Sequence, residues 1–121
     1  MSTVEKGRKG EEIAASYLER LGYRVFRRNF RAYGAEIDIV AVKDRITVFA
    51  EVKFWRVFDF CEMGRNLDWK KRGRIIRASK VFLELYPVFF GNRVRYDVLY
   101  VDNSGKVTEH VRNAFTETDY S

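Results

Sequence analysis

Residues 36–54 read Glu36-Ile37-Asp38-Ile39-Val40-Ala41-Val42-Lys43-Asp44-Arg45-Ile46-Thr47-Val48-Phe49-Ala50-Glu51-Val52-Lys53-Phe54. β-Branched and aromatic residues on both sides of the polar Lys43-Asp44-Arg45 specify two strands joined by a tight turn. With a two-residue loop, either Lys43-Asp44 or Asp44-Arg45, even-numbered residues of the first strand share a face with odd-numbered residues of the second. One face then carries Ile37, Ile39, Ala41, Ile46, Val48, Ala50, Val52 and Phe54, an unbroken apolar set that belongs in a core. The other presents Asp38, Glu51 and Lys53.

An Asp44-Arg45 loop sets Asp38 directly across from Glu51, and a Lys43-Asp44 loop sets it one diagonal step away. Either way the two side chains are roughly 5 to 8 Å apart at Cβ. Like charges so close destabilise a sheet, so a cation fills the gap, or one carboxylate is protonated or drawn aside by a base such as Lys53. Carboxylate oxygens converging from neighbouring strands are the hard ligands that Mg²⁺ and Mn²⁺ prefer. Lys53 would lie beside such an ion, where an ammonium can orient an attacking water or offset charge developing on a phosphate.

The chain has 121 residues, enough for one small domain with its own core, expected to span 1–121 with residues 1–9 flexible. Its hydrophobic fraction of 46% and charged fraction of 33% are globular values that argue against disorder. No apolar run is long enough for a membrane span and the N-terminus lacks a signal-peptide pattern, so a cytoplasmic location without membrane contact is expected. Cys61 has only His110 as a metal-binding companion, which makes a zinc site implausible, and His110 stands too alone to interpret. The net charge of +6 suggests a polyanionic partner. Seven basic residues, among them Lys70, Lys71, Arg72 and Arg74, lie between Arg65 and Lys80 against the single acid Asp68. Arg20, Arg24, Arg27, Arg28 and Arg31 form a second basic cluster.

Ile13, Ala14, Tyr17, Leu18 and Leu21 recur at helical spacing, predicting a helix from about Gly10 to Leu21 that Gly22 stops. Glu11 lies on or beside its apolar stripe. A first strand is expected over Tyr23–Phe30, linked through residues 31–35 to the hairpin. Trp55–Asn66 has no clean period and reads as a mobile loop. A second helix follows over Leu67–Leu85, ended by Pro87. Val94–Asp102 and Lys106–Arg112 alternate as strands about the turn Asn103-Ser104-Gly105. The order αβββαββ implies an α/β sheet with a helix on each side. Asp97 is expected to form a structural ion pair.

Glu11 on a helix, Asp38 on a strand and Glu51-Val52-Lys53 on the next resemble the PD-(D/E)XK nuclease superfamily in the arrangement of the Holliday-junction resolvases. The surrounding motifs are more specific: Gly7-x-x-Gly10-Glu11-x-x-Ala14-Ala15-x-Tyr17-Leu18, Gly22-Tyr23, Arg28-Asn29-Phe30-Arg31, Glu36-Ile37-Asp38-Ile39-Val40-Ala41, Phe49-Ala50-Glu51-Val52-Lys53, Arg95-Tyr96-Asp97-Val98 and His110-Val111-x-Asn113-Ala114-Phe115. Over nearly the whole chain they resemble the YraN-like family of predicted endonucleases. Ala35, where that family tends to have Gly, and Phe54-Trp55, in place of its Thr-Arg, are departures. The resemblance implies a restriction-endonuclease-like mixed sheet flanked by helices. It also implies Asp38 and Glu51 as metal ligands, Lys53 as the catalytic lysine and Glu11 as an outer acid.

The reading is a Mg²⁺- or Mn²⁺-dependent DNA endonuclease. Asp38, Glu51 and the Val52 carbonyl hold the ion, Lys53 orients water, and Arg28, Arg31, Lys70, Lys71, Arg72 and Arg74 grip phosphates. The DNA is duplex or branched, RNA is left open, and a homodimer would suit paired cuts at a junction. Two rivals use the same residues. Asp38, Glu51 and Lys53 also suit a salt-bridge ladder in a nucleic-acid-binding module without catalysis, and the charges could simply solubilise a protein-interaction domain. Glu11 suits a helix N-terminus as well as it suits catalysis. Trp55, Phe58, Phe60 and Trp69 could stack on unpaired bases or pack in a core or interface.

Overall fold

The computed structural model describes residues 3–54 and 69–117. In chain order its elements are α1 (Thr3–Arg20), β1 (Arg24–Ala32), β2 (Ala35–Lys43), β3 (Ile46–Phe54), α2 (Trp69–Leu85), a 3-10 turn (Pro87–Phe89), β4 (Arg93–Val101) and β5 (Val107–Phe115). The αβββαββ order is the expected one. The loop read over 55–66, the helix start at Leu67, and the roles of Trp55, Phe58, Phe60, Cys61 and Arg65 lie outside the described residues.

The five strands form one sheet in sequential order β1-β2-β3-β4-β5. All neighbours are antiparallel except β3 and β4, which run parallel because α2 carries the chain between them. The hairpin loop is Asp44-Arg45, both residues left-handed with φ of 49° and 64°, and Lys43 pairs with Ile46. This is the primed turn whose twist matches the flanking strands.

Both faces of the sheet are covered. Under α1, Ala14, Ala15 and Leu18 pack on Ile39, Ala41, Val48, Ala50, Leu99 and Val101, with Ile46, Val52 and Phe54 at the margin. Under α2, Ile75, Ile76, Ala78 and Phe82 pack on Val40, Phe49, Tyr96, Val98 and Tyr100. Ile37 joins this second cluster and not the first, which corrects the strict alternation expected of β2. Ile37 and Val40 are three residues apart yet contribute to the same cluster, Ile37 from the end of β2 that pairs with β1 alone. The face that carries Asp38 and Glu51 is therefore core over most of its area and polar only at one end.

α1 begins at Thr3, seven residues ahead of the expected Gly10, so the segment read as flexible is helical from its third residue. Glu5 in its first turn and Arg20 in its last complement the helix dipole. Gly10 is buried where a Cβ would lie 3.3 Å from Phe54 Cδ2, so its glycine lets the helix sit against β3. At the other end Gly22 takes φ 95°, Tyr23 N–H donates to the Leu18 carbonyl and Gly22 N–H to that of Glu19, closing the helix.

Asp97 is the anticipated ion pair, and more. Its buried carboxylate accepts from Arg95 Nε and Nη2, both at 2.9 Å, and from the Asn113 amide at 3.1 Å, and lies 2.7 Å from His110 Nε2. Tyr17 Oη of α1 lies 2.9 Å from His110 Nδ1, and Arg95 also donates to Tyr23 Oη. His110, isolated in sequence, is thus a bridge joining α1, β4 and β5. Burial alone would raise the Asp97 pKa, but the bonds from His110, Arg95 and Asn113 outweigh it and leave the pKa lowered.

No helix among the described residues is long and apolar enough to cross a membrane.

Candidate metal and nucleic-acid site

The site forms where the central hairpin opens. β2 and β3 pair from Lys43↔Ile46 to Ile39↔Ala50 and no further. Beyond that point β2 stays with β1 as far as Ala35, and β3 stays with β4 as far as Phe54. The parting leaves inner-edge backbone groups without a strand partner, and buried donors need one. Asp38 Oδ2 supplies it, accepting from the Val52 amide at 2.8 Å.

Three carboxylates converge at the opening. Glu11 comes from α1, Glu36 and Asp38 from β2, and one oxygen of each lies within 4.8 Å of the others. On the β3 side, buried Glu51 meets Lys71 Nζ of α2 at 2.8 Å and Lys53 Nζ at 3.8 Å. Arg28 reaches Glu11 at 3.8 Å and Arg31 reaches Glu36 at 3.3 Å, so β1 borders the acids with cations.

The electrostatics follow from crowding. Burial, then the neighbouring Glu51 charge and a hydrogen bond shared with it, push Asp38 up to about 8 despite the Val52 amide that it accepts. Without a cation, Asp38 therefore holds a proton at neutral pH. Burial also raises Glu11, with Glu36 and Glu51 adding to it, against Asn29 and Arg28. Lys53 is lowered by burial and then by the Lys71 ammonium, despite Glu51 and Asp38. Burial would lower Lys71 as well, but its contacts with Glu51 leave it raised.

The structure brings together Glu11, Asp38, Glu51 and Lys53, as the sequence suggested, and adds two residues. Glu36 reads in the sequence only as a hairpin residue, although its two-residue spacing from Asp38 on one strand is a visible signal. Lys71, read as a phosphate contact on a basic helix, turns inward to Glu51. The contact of Val52 seen here is through its amide. Of the remaining basic residues on α2, Lys70 is exposed with its ammonium 5.7 Å from the Trp69 ring. Arg72 lies 5.7 Å from the ring of Phe115, and its buried Nε has no hydrogen-bond partner among the described residues. Arg74 is half-buried.

A model of the uncharacterised protein family UPF0102 matches residues 10–101. A UPF0102 protein of Clostridium perfringens is 34% identical over 110 residues, covering 88% of this chain and 89% of the relative. One from Persephonella marina is 35% identical over 115 residues, covering 95% and 96%. One from Dechloromonas aromatica is 36% identical over 118 residues, covering 98% and 94%. The matched span contains Glu11, Glu36, Asp38, Glu51, Lys53 and Lys71.

Proposed function

The chain belongs to the uncharacterised protein family UPF0102, the YraN-like family its motifs resemble, and we propose that it is a divalent-metal-dependent endonuclease of DNA. The observation that carries this reading is the convergence of Glu11, Glu36 and Asp38 within 4.8 Å beside the Glu51–Lys53 pair. The donor set fits Mg²⁺ or Mn²⁺: every side-chain ligand is a carboxylate oxygen. Opposite ligands of Mg²⁺ are about 4.2 Å apart, twice its usual bond length, so little closure is needed. Burial and the Glu51 charge keep a proton on Asp38 up to about pH 8, and a cation bound there would favour its release.

Asp38 is the central ligand of this reading, joined by Glu36 or Glu11 on one side and by Glu51 and the Val52 carbonyl on the other. When bound, such an ion acidifies water and offsets charge on the scissile phosphate. Lys53 stands next to Glu51, and its lowered pKa suits an amine that donates to a phosphate oxygen or takes a proton from water. Arg28 and Arg31, paired with Glu11 and Glu36, would be free to hold phosphates if those carboxylates held a cation instead. Lys70, Arg72 and Arg74 extend the basic surface along α2, and a cytoplasmic location is part of the same reading.

The rival, a nucleic-acid-binding module without catalysis, draws on the 2.8 Å Lys71–Glu51 ion pair, which a salt-bridge ladder also produces. Calorimetric titration of Mn²⁺ and Mg²⁺ into the wild type and Asp38→Asn separates the two. The nuclease reading expects saturable binding that the variant loses. Identical traces for the two proteins would favour the ladder.

A further inference from the structure

β1 and β2 are joined by Tyr33-Gly34, both left-handed with φ of 54° and 68°, between the paired Ala32 and Ala35. Such a turn favours Asn or Gly at its first position, because a bulky side chain there is strained. This chain places tyrosine there and leaves 65% of it exposed. Tyr33 has no ring or cation contact among the described residues, and turn chemistry does not account for it.

Its surroundings do. Arg31, two residues before, and Glu36, three after, pair across the strands at 3.3 Å, and the Glu36 carboxylate belongs to the acidic cluster. Three residues span at most roughly 11 Å, so the ring stands within a few nucleotides of that cluster. Exposed Arg24, Arg27, Arg28 and Arg31 run along β1, the edge of the sheet, toward this tip. A flat ring with a polar end, carried on a stiff two-residue turn beside cations and acids, suits the face of a base.

Building on the endonuclease reading, we propose that Tyr33 is a base-stacking residue. It seats on a base whose neighbour is missing, so that DNA with a helical discontinuity is preferred over continuous duplex. Within a continuous duplex both faces of every interior base are covered, and the tip meets only backbone. At a flap or junction one face is open, and the tip adds a stacking contact to the phosphate contacts.

The test measures dissociation constants, in chelator to prevent cutting, for fluorescent DNAs of equal length: a continuous duplex, a flap and a four-way junction. The wild type should favour the last two. Tyr33→Ala should weaken their binding about 5- to 150-fold, the range of one stacked base, and leave the duplex value unchanged. Tyr33→Phe and Tyr33→Trp should keep the preference. Tyr33→Asn should melt no lower than wild type, since Asn suits the turn, yet lose the preference. Equal losses on all three DNAs, no loss, or no preference in the wild type would overturn the proposal. Adding Mn²⁺ to the same DNAs separates the two readings. Preference without cutting removes only the nuclease, and cutting without a Tyr33-dependent preference removes only the stacking role.

Discussion

Asp38 Oδ2 accepts the Val52 amide at 2.8 Å, one residue beyond Ile39 and two beyond Ala50, the last paired positions of the central hairpin. A carboxylate thus takes a bond that a backbone carbonyl holds elsewhere in the ladder. The strands part with that donor satisfied, and the side chain is fixed beside Glu51 at the floor of the opening.

Metal-free protein should lose stability as pH rises. Asp38 is raised from 3.8 to about 8, so the folded state holds a proton that the unfolded state gives up earlier. The resulting stabilisation is complete below about pH 4 and is lost progressively by about pH 8. Melting temperature in chelator should fall by several degrees over that window, and Asp38→Asn should flatten the slope and melt higher at pH 8. Parallel curves for the two proteins would contradict the raised pKa of Asp38.

Mn²⁺ should reverse the trend in the wild type, because a ligand bound only by the folded state stabilises it. At a hundredfold excess over its dissociation constant the gain is about 2.7 kcal/mol. Glu36→Gln should reduce the gain if Glu36 is a ligand, and an unchanged response would exclude it from the donor set.

The Asp97 network should matter for folding. Asp97→Ala leaves Arg95 and His110 without their shared buried partner, a change that commonly costs about 3 to 5 kcal/mol. Chemical denaturation measures it. Because the Asp97 pKa is lowered, its contribution is full above 3.8 and lost as pH falls further. A loss below about 1 kcal/mol would show that the network is dispensable.

Much of this was legible because any two-residue turn within 43–45 gives the same parity, and parity puts Asp38 and Glu51 on one face. That Asp44-Arg45 is the loop emerges only from the pairing of Lys43 with Ile46. What could not be read depends on contacts distant in sequence. Ile37 joins the other cluster where β2 parts from β3 while staying paired with β1, so its surroundings are set by a third strand. Glu36 gains a role only once α1 sets Glu11 beside it. Lys71 turns inward because α2 crosses above Glu51, and His110 finds Asp97 only through β4–β5 pairing. The early start of α1 escaped because residues 3–9 lack an apolar stripe of their own.

Removing cations that meet phosphates should weaken DNA binding evenly. Lys70→Ala with Arg74→Ala spares the inward Lys71 and should reduce the slope of log affinity against log salt by about 1 for each phosphate left unneutralised. An unchanged slope would leave that part of α2 as a solvated face.

The central claim is chemistry at the opening of the hairpin, and single-turnover cleavage tests it most directly. Wild type, Lys53→Ala and Lys53→Arg are compared on linear, flap and junction DNAs with Mg²⁺ or Mn²⁺, with dissociation constants measured alongside. The account predicts metal-dependent cutting by the wild type and a rate about 100-fold or more lower for Lys53→Ala, with only a modest loss of affinity. Lys53→Arg should give little rescue, since a planar guanidinium cannot take the place of a compact ammonium. No cutting of any DNA with either ion, or rates and affinities that fall in equal proportion, would contradict it.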